Sequence, residues 1–283
     1  MAIQWGLPLD QYHSAAHVTK SKLSDFAAKG PRFYATRYVQ RTAQRDESSD
    51  AQVIGQALED RIQVPAEYKA RYVVRPDGMD GRTKEGKVWA ADVKARGLVV
   101  LSADDANMIE EMVTAIFENE AAAELVRNAK PQPTITMDYA GLPGVASRPD
   151  WFSESGCALT GFRPYVLDLK STLTLTKLTS GRGIAEYGYH QQFGLCTYAL
   201  AKNGFVDVPV YLLAAEKCRP HRAQVVQLDE TWLSAGWDWC ARQLSKLAKH
   251  YQANEWPRVD AEMVVSKAPA WLANRVEFDE EAA

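Results

Sequence analysis

The chain has 283 residues, 46% of them hydrophobic and 24% charged, and a formal net charge of −3. These proportions exclude a disordered or collagen-like chain, and the length suits one or two domains with a core that needs no disulfide or metal staple. No apolar run approaches the roughly 18 residues of a membrane span; the best candidate is Val208 to Ala215. Met1 to Trp5 carries no signal-peptide pattern, so a cytoplasmic protein with no membrane partner is expected.

From the N-terminus, His13 and His17 stand four apart, a spacing that reads as incidental so close to the chain start. Thr19 or Ser21 caps a short helix carrying Leu23 and Phe26. This helix opens a basic segment, about residues 18–45, in which Lys20, Lys22, Lys29, Arg32, Arg37, Arg41 and Arg45 face the single acid Asp25. Residues 51–62 read as a helix with Val53, Ile54, Ala57, Leu58 and Ile62 on one side. Pro76 to Gly86, with Asp-Gly-Met-Asp-Gly, reads as a loop. Ser102-Ala-Asp-Asp resembles a capping box before a long helix with Met108, Ile109, Met112, Val113, Ile116 and Phe117 in period.

Residues 102–124 hold seven acids and no base, and Glu277, Asp279, Glu280 and Glu281 make an acidic tail. The near-neutral total therefore hides a polar layout, which reads either as steering a polyanion to one face or as ordinary solvated faces.

Strands follow: Thr134 to Met137, Gly144 to Trp151, and Pro164 to Lys170. Residues 184–202 return to helix, and Phe205 to Ala214 is a strand in which Pro209 suggests an edge or a bulge. After a short strand at Val225 and Val226, Asp229 caps a helix whose Leu233, Trp237, Cys240, Leu244, Leu247 and Tyr251 form a core-facing stripe. The pattern is α/β in class. No internal repeat or Pro-, Gly- or Ser-rich linker divides it, so residues 1–283 are expected to form a single domain. Cys157, Cys196, Cys218 and Cys240 form no Cys-x-x-Cys pair, which argues against a zinc ribbon or iron–sulfur cluster and favours buried reduced thiols.

P-loop, dinucleotide, nucleophile-elbow and His-Glu-x-x-His motifs are all missing. What remains is carboxylates with a lysine. In a strand, residues two apart face the same way, so Asp168 and Lys170 of Tyr-Val-Leu-Asp-Leu-Lys share one side while Leu167 and Leu169 face the core. Arg148-Pro-Asp150 precedes them. If adjacent strands bring Asp150 and Asp168 together, the two repel unless a hard divalent cation lies between them, where it would activate water for attack on a phosphodiester. Lys170 would then hold or deprotonate that water, or stabilise the phosphate.

A second Arg-Pro-Asp with Asp-x-Lys, Arg75 to Asp77 and Asp92 to Lys94, repeats the pattern in loop and alanine-rich sequence, a setting unlike strands. Glu59 lies beside the apolar side of its helix, either as a third acid of the site or as an exposed glutamate paired with an arginine. Gln192 reads either as a site residue or as a solvent-facing amide, with Gly188 one turn earlier.

Taken in order, these pieces resemble the RecE-type exonuclease domain (exodeoxyribonuclease VIII-like) of the PD-(D/E)xK nuclease superfamily, which includes the RecB nuclease domain and lambda exonuclease. The resemblance rests on Lys20-Ser-Lys-Leu-Ser-Asp-Phe, Gly55-Gln-Ala-Leu, Arg82-Thr-Lys-Glu-Gly-Lys87, Leu101-Ser-Ala-Asp-Asp and Gly141-Leu-Pro. It continues through Arg148-Pro-Asp150, Leu167-Asp-Leu-Lys-Ser-Thr172, Tyr187-Gly-Tyr-His-Gln-Gln192 and Trp256-Pro257. It implies a restriction-endonuclease-like core, a mixed central sheet flanked by helices. Asp150 and Asp168 would be the metal-binding carboxylates, the Leu169 carbonyl a further ligand, Lys170 the catalytic lysine and Gln192 the glutamine of the following helix.

Glu59 stands where RecE- and RecB-like members carry His, and Cys196 where a Tyr is common, with Tyr198 a possible substitute. The implied activity is Mg²⁺-dependent (or Mn²⁺-dependent) degradation of double-stranded DNA from its ends, 5′ to 3′, leaving 3′ single strands for recombination. The implied setting is phage or prophage recombination, with a homo-oligomeric ring and a RecT-type single-strand annealing protein as partner. Lys22, Arg32 and Arg37 would contact DNA phosphates. A structure-specific or single-strand endonuclease, an inactive DNA-binding subunit and a nucleotide hydrolase are the alternatives.

Overall fold

The computed structural model describes residues 2–43, 49–258 and 265; Arg45 and the acidic tail from Glu277 lie outside the described residues. Strand β1 (Ala2–Gln4) and helix α1 (Leu9–Ser14) lead to α2 (Lys20–Tyr34), where the Thr19 side chain accepts from the Lys22 N–H. Gly30, at φ 81°, breaks α2, and Pro31 restarts it with a ring whose missing N–H costs nothing in a first turn. Ser49 and Gln52 form a capping box for α3 (Asp50–Gln63), and α4 (Pro65–Arg71) follows directly.

Strand β2 (Tyr72–Val74), α5 (Lys84–Ala95) and β3 (Val99–Leu101) form a parallel β2–β3 pair with its crossover helix. Lys84 to Gly86, expected in a loop, already belong to α5, because the Thr83 side chain accepts from the Gly86 N–H and starts the helix early. Ser102 caps α6 (Ala103–Glu118), and α7 (Glu120–Arg127) follows.

The remaining strands are β4 (Lys130–Pro131), β5 (Thr134–Met137), β6 (Val145–Ser147), β7 (Trp151–Ser153) and β8 (Tyr165–Thr172). Helices α8 (Thr176–Thr179), α9 (Arg182–Glu186) and α10 (Tyr189–Lys202) cross to β9 (Val210–Glu216). After β10 (Ala223–Leu228), α11 (Glu230–Ala253) begins at Asp229, whose side chain accepts from the Trp232 N–H.

The central sheet has the order β10-β9-β8-β7-β4 and is antiparallel except between β8 and β9. A smaller antiparallel sheet has the order β1-β5-β6. The expected fold class, a mixed sheet flanked by helices, is the observed one. β9 is an interior strand buried along its length, not an edge. Pro209 lies just before it and contributes only its carbonyl, which accepts from the Val166 N–H, so its missing donor breaks no ladder bond.

Both faces of β8 are covered, as a strand with a parallel neighbour requires. Val166 packs with Val210, Leu212, Phe193 and Leu200 on one side. Tyr165, Leu167 and Leu169 pack with Leu58, Ile109, Met112 and Leu213 on the other. Alternation therefore puts Asp168 and Lys170 on the α10 side. The run expected as one strand from Gly144 to Trp151 is split at residues 148–150, where the chain leaves the small sheet and joins the central one. Of the four cysteines, Cys157, Cys196 and Cys240 are buried and Cys218 is exposed.

Candidate active site

β7 pairs with β8 only as far as Leu167. Beyond that point the edge of β8 lies open on the side away from β9, and Asp150 fills it. Its Oδ2 accepts from the Leu169 N–H at 2.7 Å. Its own carbonyl accepts from the Gln132 N–H at 2.8 Å and from Gln63 Nε2 at 3.2 Å. Asp150 is thus fixed at both ends at the corner between the two sheets. In a strand the N–H and C=O of one residue point to the same side, so the Leu169 carbonyl faces the open edge beside Asp150.

Asp168 is fully buried, at 0% exposure. Gln192 Nε2, on the first turn of α10, donates to its Oδ1 at 2.9 Å, so the amide faces Asp168 and not solvent. The Lys170 ammonium forms an ion pair with Oδ2, an atom that has no further hydrogen bond. The same ammonium lies 4.8 Å from the ring centre of Tyr189, an attractive cation–π contact. A cavity of about 800 Å³ opens in front of this group, and Glu59, Asp150, Leu169, Lys170, Tyr189 and Arg37 are among its walls.

The electrostatics are those of an acidic cluster short of positive charge. Burial, then Asp168, then Asp60 push the Glu59 carboxyl up to about 7 from an ordinary 4.5. Burial, with Asp168 and Glu59 adding to it, holds Asp150 well above the usual carboxylate range. Burial works against the Lys170 ammonium, but Asp168 and Asp150 outweigh it and hold Lys170 above its ordinary value. Arg148 faces the same cluster. It is tied down by Nη1 donating to the Leu7 carbonyl at 2.6 Å and Nη2 donating to Gln132 Oε1 at 2.8 Å.

Among the described residues no three Asp, Glu, His or Cys side chains stand together as a ready-made metal cage. Asp168 is turned onto Lys170 and Gln192 and does not line the cavity. The donor chemistry nonetheless fits a hard divalent cation: carboxylates that raise one another's proton affinity, an Asp168 oxygen with no hydrogen bond, and a carbonyl at an unpaired strand edge.

The other expected residues separate. Lys22, expected among the phosphate contacts, is 7% exposed, and its ammonium donates to the carbonyls of Ala15 and His17 at 2.8 and 2.7 Å, so it braces the turn before α2. Arg32 is exposed and Arg37 lines the cavity. α1 ends at Ser14, so His13 and His17 share no helix face. Asp92 lies on α5 in an i, i+4 pair with Arg96 at 3.5 Å, and neither it nor Asp77 borders the cavity. Cys196 is buried, and Tyr198 stacks on Trp237 at the α10–α11 interface. Gly188 has φ 64° at the junction of α9 and α10, and that left-handed conformation accounts for the glycine. Tyr189 and Arg148 were missed as site residues. Each lies within a stretch quoted for the resemblance, but an aromatic residue opening a helix reads first as core.

A family model described as "PDDEXK-like domain of unknown function (DUF3799)" matches residues 20–265. Among solved structures, a crystal structure of a "Putative exonuclease" from Eubacterium rectale superposes with a TM-score of 0.62 at 13% identity, covering 96% of this chain and 98% of that one. At that identity the likeness shows a shared fold. No curated protein matches the chain.

Proposed function

The chain belongs to this PDDEXK-like family, and from that premise we propose that it is a Mg²⁺-dependent exodeoxyribonuclease that degrades double-stranded DNA from its ends, 5′ to 3′. The observation that carries the reading is the grouping of Glu59, Asp150 and Lys170 around one cavity, with Asp168 and Gln192 locked behind it. Five polar groups held this close in a buried setting are costly to keep unless they work together. Mn²⁺ would serve in place of Mg²⁺.

Glu59, Asp150, Asp168 and the Leu169 carbonyl would hold the metal. When bound, the ion supplies Lewis-acid polarisation of the phosphate and a more acidic water. The chain's own residues do the rest. The Leu169 N–H fixes the Asp150 carboxylate, and Gln192 fixes that of Asp168, so neither ligand has to be ordered during the reaction. Lys170, kept charged by its neighbours, is suited to stabilising the extra negative charge on phosphate in the transition state. As an ammonium it has no lone pair to serve as the base. Arg32 and Arg37 remain the basic-arm candidates for phosphate contact. Action on DNA ends in recombination, a ring assembly and a RecT-type annealing partner rest on the resemblance alone.

The test is digestion of linear duplex DNA labelled at one 5′ end, beside a closed circle of the same sequence, with Mg²⁺, with EDTA and with Lys170→Ala. Early release of labelled mononucleotide from the linear duplex alone, requiring both Mg²⁺ and Lys170, is expected. Cutting of the circle at a comparable rate overturns the end preference, and no digestion with Mg²⁺ or, in a parallel run, Mn²⁺ overturns the nuclease reading.

A further inference from the structure

The carboxylate cavity is not isolated. A second cavity of about 980 Å³, with Trp5, Lys130 and Gln132 on its walls, shares Leu9, His13, Gln56 and Arg71 with the first. The two adjoin at these four residues, a boundary we call the neck, and Arg71, the last residue of α4, stands there. Behind it lies Asp60, 1% exposed, on α3 next to Glu59. Asp60 accepts from Arg71 Nη1 at 2.6 Å, from the Tyr72 hydroxyl at 3.0 Å and from Gln56 Nε2 at 3.0 Å.

The Arg71 side chain is 41% exposed, and its other acidic neighbour, Glu67, is 4.0 Å away. One edge of a planar five-donor fork is anchored from behind, and the rest is presented at the neck. The carboxylates beyond it repel any polyanion that approaches them, and a fixed cation at the neck offsets part of that repulsion.

On the nuclease reading above, we propose that Arg71 binds a backbone phosphate of the substrate strand, one neighbouring the scissile phosphodiester, at the neck between the two cavities. Asp60 positions it. A guanidinium already ordered by a carboxylate loses little freedom on binding a phosphate, and its fork matches two phosphate oxygens at once.

The experiment measures binding of a 20-base-pair duplex with Ca²⁺ in place of Mg²⁺, over a series of salt concentrations, for the wild type, Arg71→Gln and the double variant Arg71→Gln/Asp60→Asn. In the double variant both partners are neutral amides, so it carries the test if loss of the Asp60 counter-ion unfolds the single variant by circular dichroism. Expected is a fall of about one in the slope of log K against log salt in each folded variant. A scan of single methylphosphonates across the duplex is expected to find one position that weakens the wild type about tenfold and leaves Arg71→Gln unaffected, as removal of one charged contact predicts.

Unchanged slopes, or methylphosphonate losses equal in wild type and variant at every position, overturn the assignment. Wild-type cleavage of the same duplex with Mg²⁺, run alongside, separates the two readings. Cleavage with unchanged slopes removes only the role of Arg71, whereas neither binding nor cleavage by the wild type removes both.

Discussion

Replacing Glu59 with glutamine is expected to make the metal-free protein more stable and the metal-loaded one inactive. The Glu59 carboxyl is raised from 4.5 to about 7 in the folded chain, so its ionised form is disfavoured by folding. The penalty is absent below pH 4.5, grows as pH rises, and is complete above 7. At about 1.4 kcal/mol per pH unit, the full shift corresponds to about 3 kcal/mol at pH 8. Because Glu59 is partly exposed, solvent reduces this to about 2 kcal/mol. For a two-state chain of this length, 1 kcal/mol moves Tm by about 2 °C, so Glu59→Gln is expected to melt about 4 °C higher than wild type in EDTA at pH 8, and by less than half that margin at pH 5.5. Mg²⁺ is expected to raise the wild-type Tm and to leave that of the variant nearly unchanged. Differential scanning calorimetry at the two pH values, with and without metal, measures all four numbers. A variant no more stable than wild type at pH 8, or one that gains equally at both pH values, refutes the electrostatic argument. Retained Mg²⁺-dependent cleavage refutes the role of Glu59 as a ligand.

Further outcomes follow from single contacts. Lys170→Ala strands a fully buried Asp168 and is expected to cost about 3 kcal/mol in EDTA, visible as a lower urea midpoint that Mg²⁺ partly restores, together with loss of cleavage. Gln192→Ala removes the 2.9 Å bond to Asp168 and is expected to weaken Mg²⁺ binding by about 10- to 100-fold, read by calorimetric titration; an unaltered affinity would show that Gln192 does not orient this carboxylate. Lys22→Met leaves the carbonyls of Ala15 and His17 without their donor. It is expected to cost about 2 kcal/mol of stability without changing the salt dependence of DNA binding, whereas charge reversal at Arg32 and Arg37 together lowers that dependence; a lowered salt slope in Lys22→Met would return Lys22 to the DNA-contacting arm.

Asp168 and Lys170 were legible because their strand alternates cleanly and is too apolar to carry charges by accident. The cap at Asp229 and the stripe after it were legible for the same reason: local rules and tertiary packing agree there. Asp150 was recognisable by its Arg-Pro-Asp setting, yet its place at a corner was not, because strand-forming residues on both sides conceal a three-residue bend. The contacts of Lys22 were not legible, because a count of charges cannot tell a lysine that reaches water from one that, like Lys22, satisfies two carbonyls. Arg71 was invisible for the complementary reason. Its partner Asp60 is eleven residues away across a turn, and only the packing of α4 back onto α3 brings the two together.

The corner at Arg148–Asp150 also bears on how much chain the site needs. The family match starts at residue 20, but the Arg148 guanidinium is fastened to the Leu7 carbonyl, and β1 forms one edge of the small sheet that feeds this corner. A fragment trimmed to the family boundary would retain Glu59, Asp150, Asp168 and Lys170 and still lose one of the two anchors of Arg148, two residues from Asp150. The working unit is thus larger than its recognisable signature, and a proteolytic nick or a bulky fusion within the first nineteen residues would disturb the site from outside it.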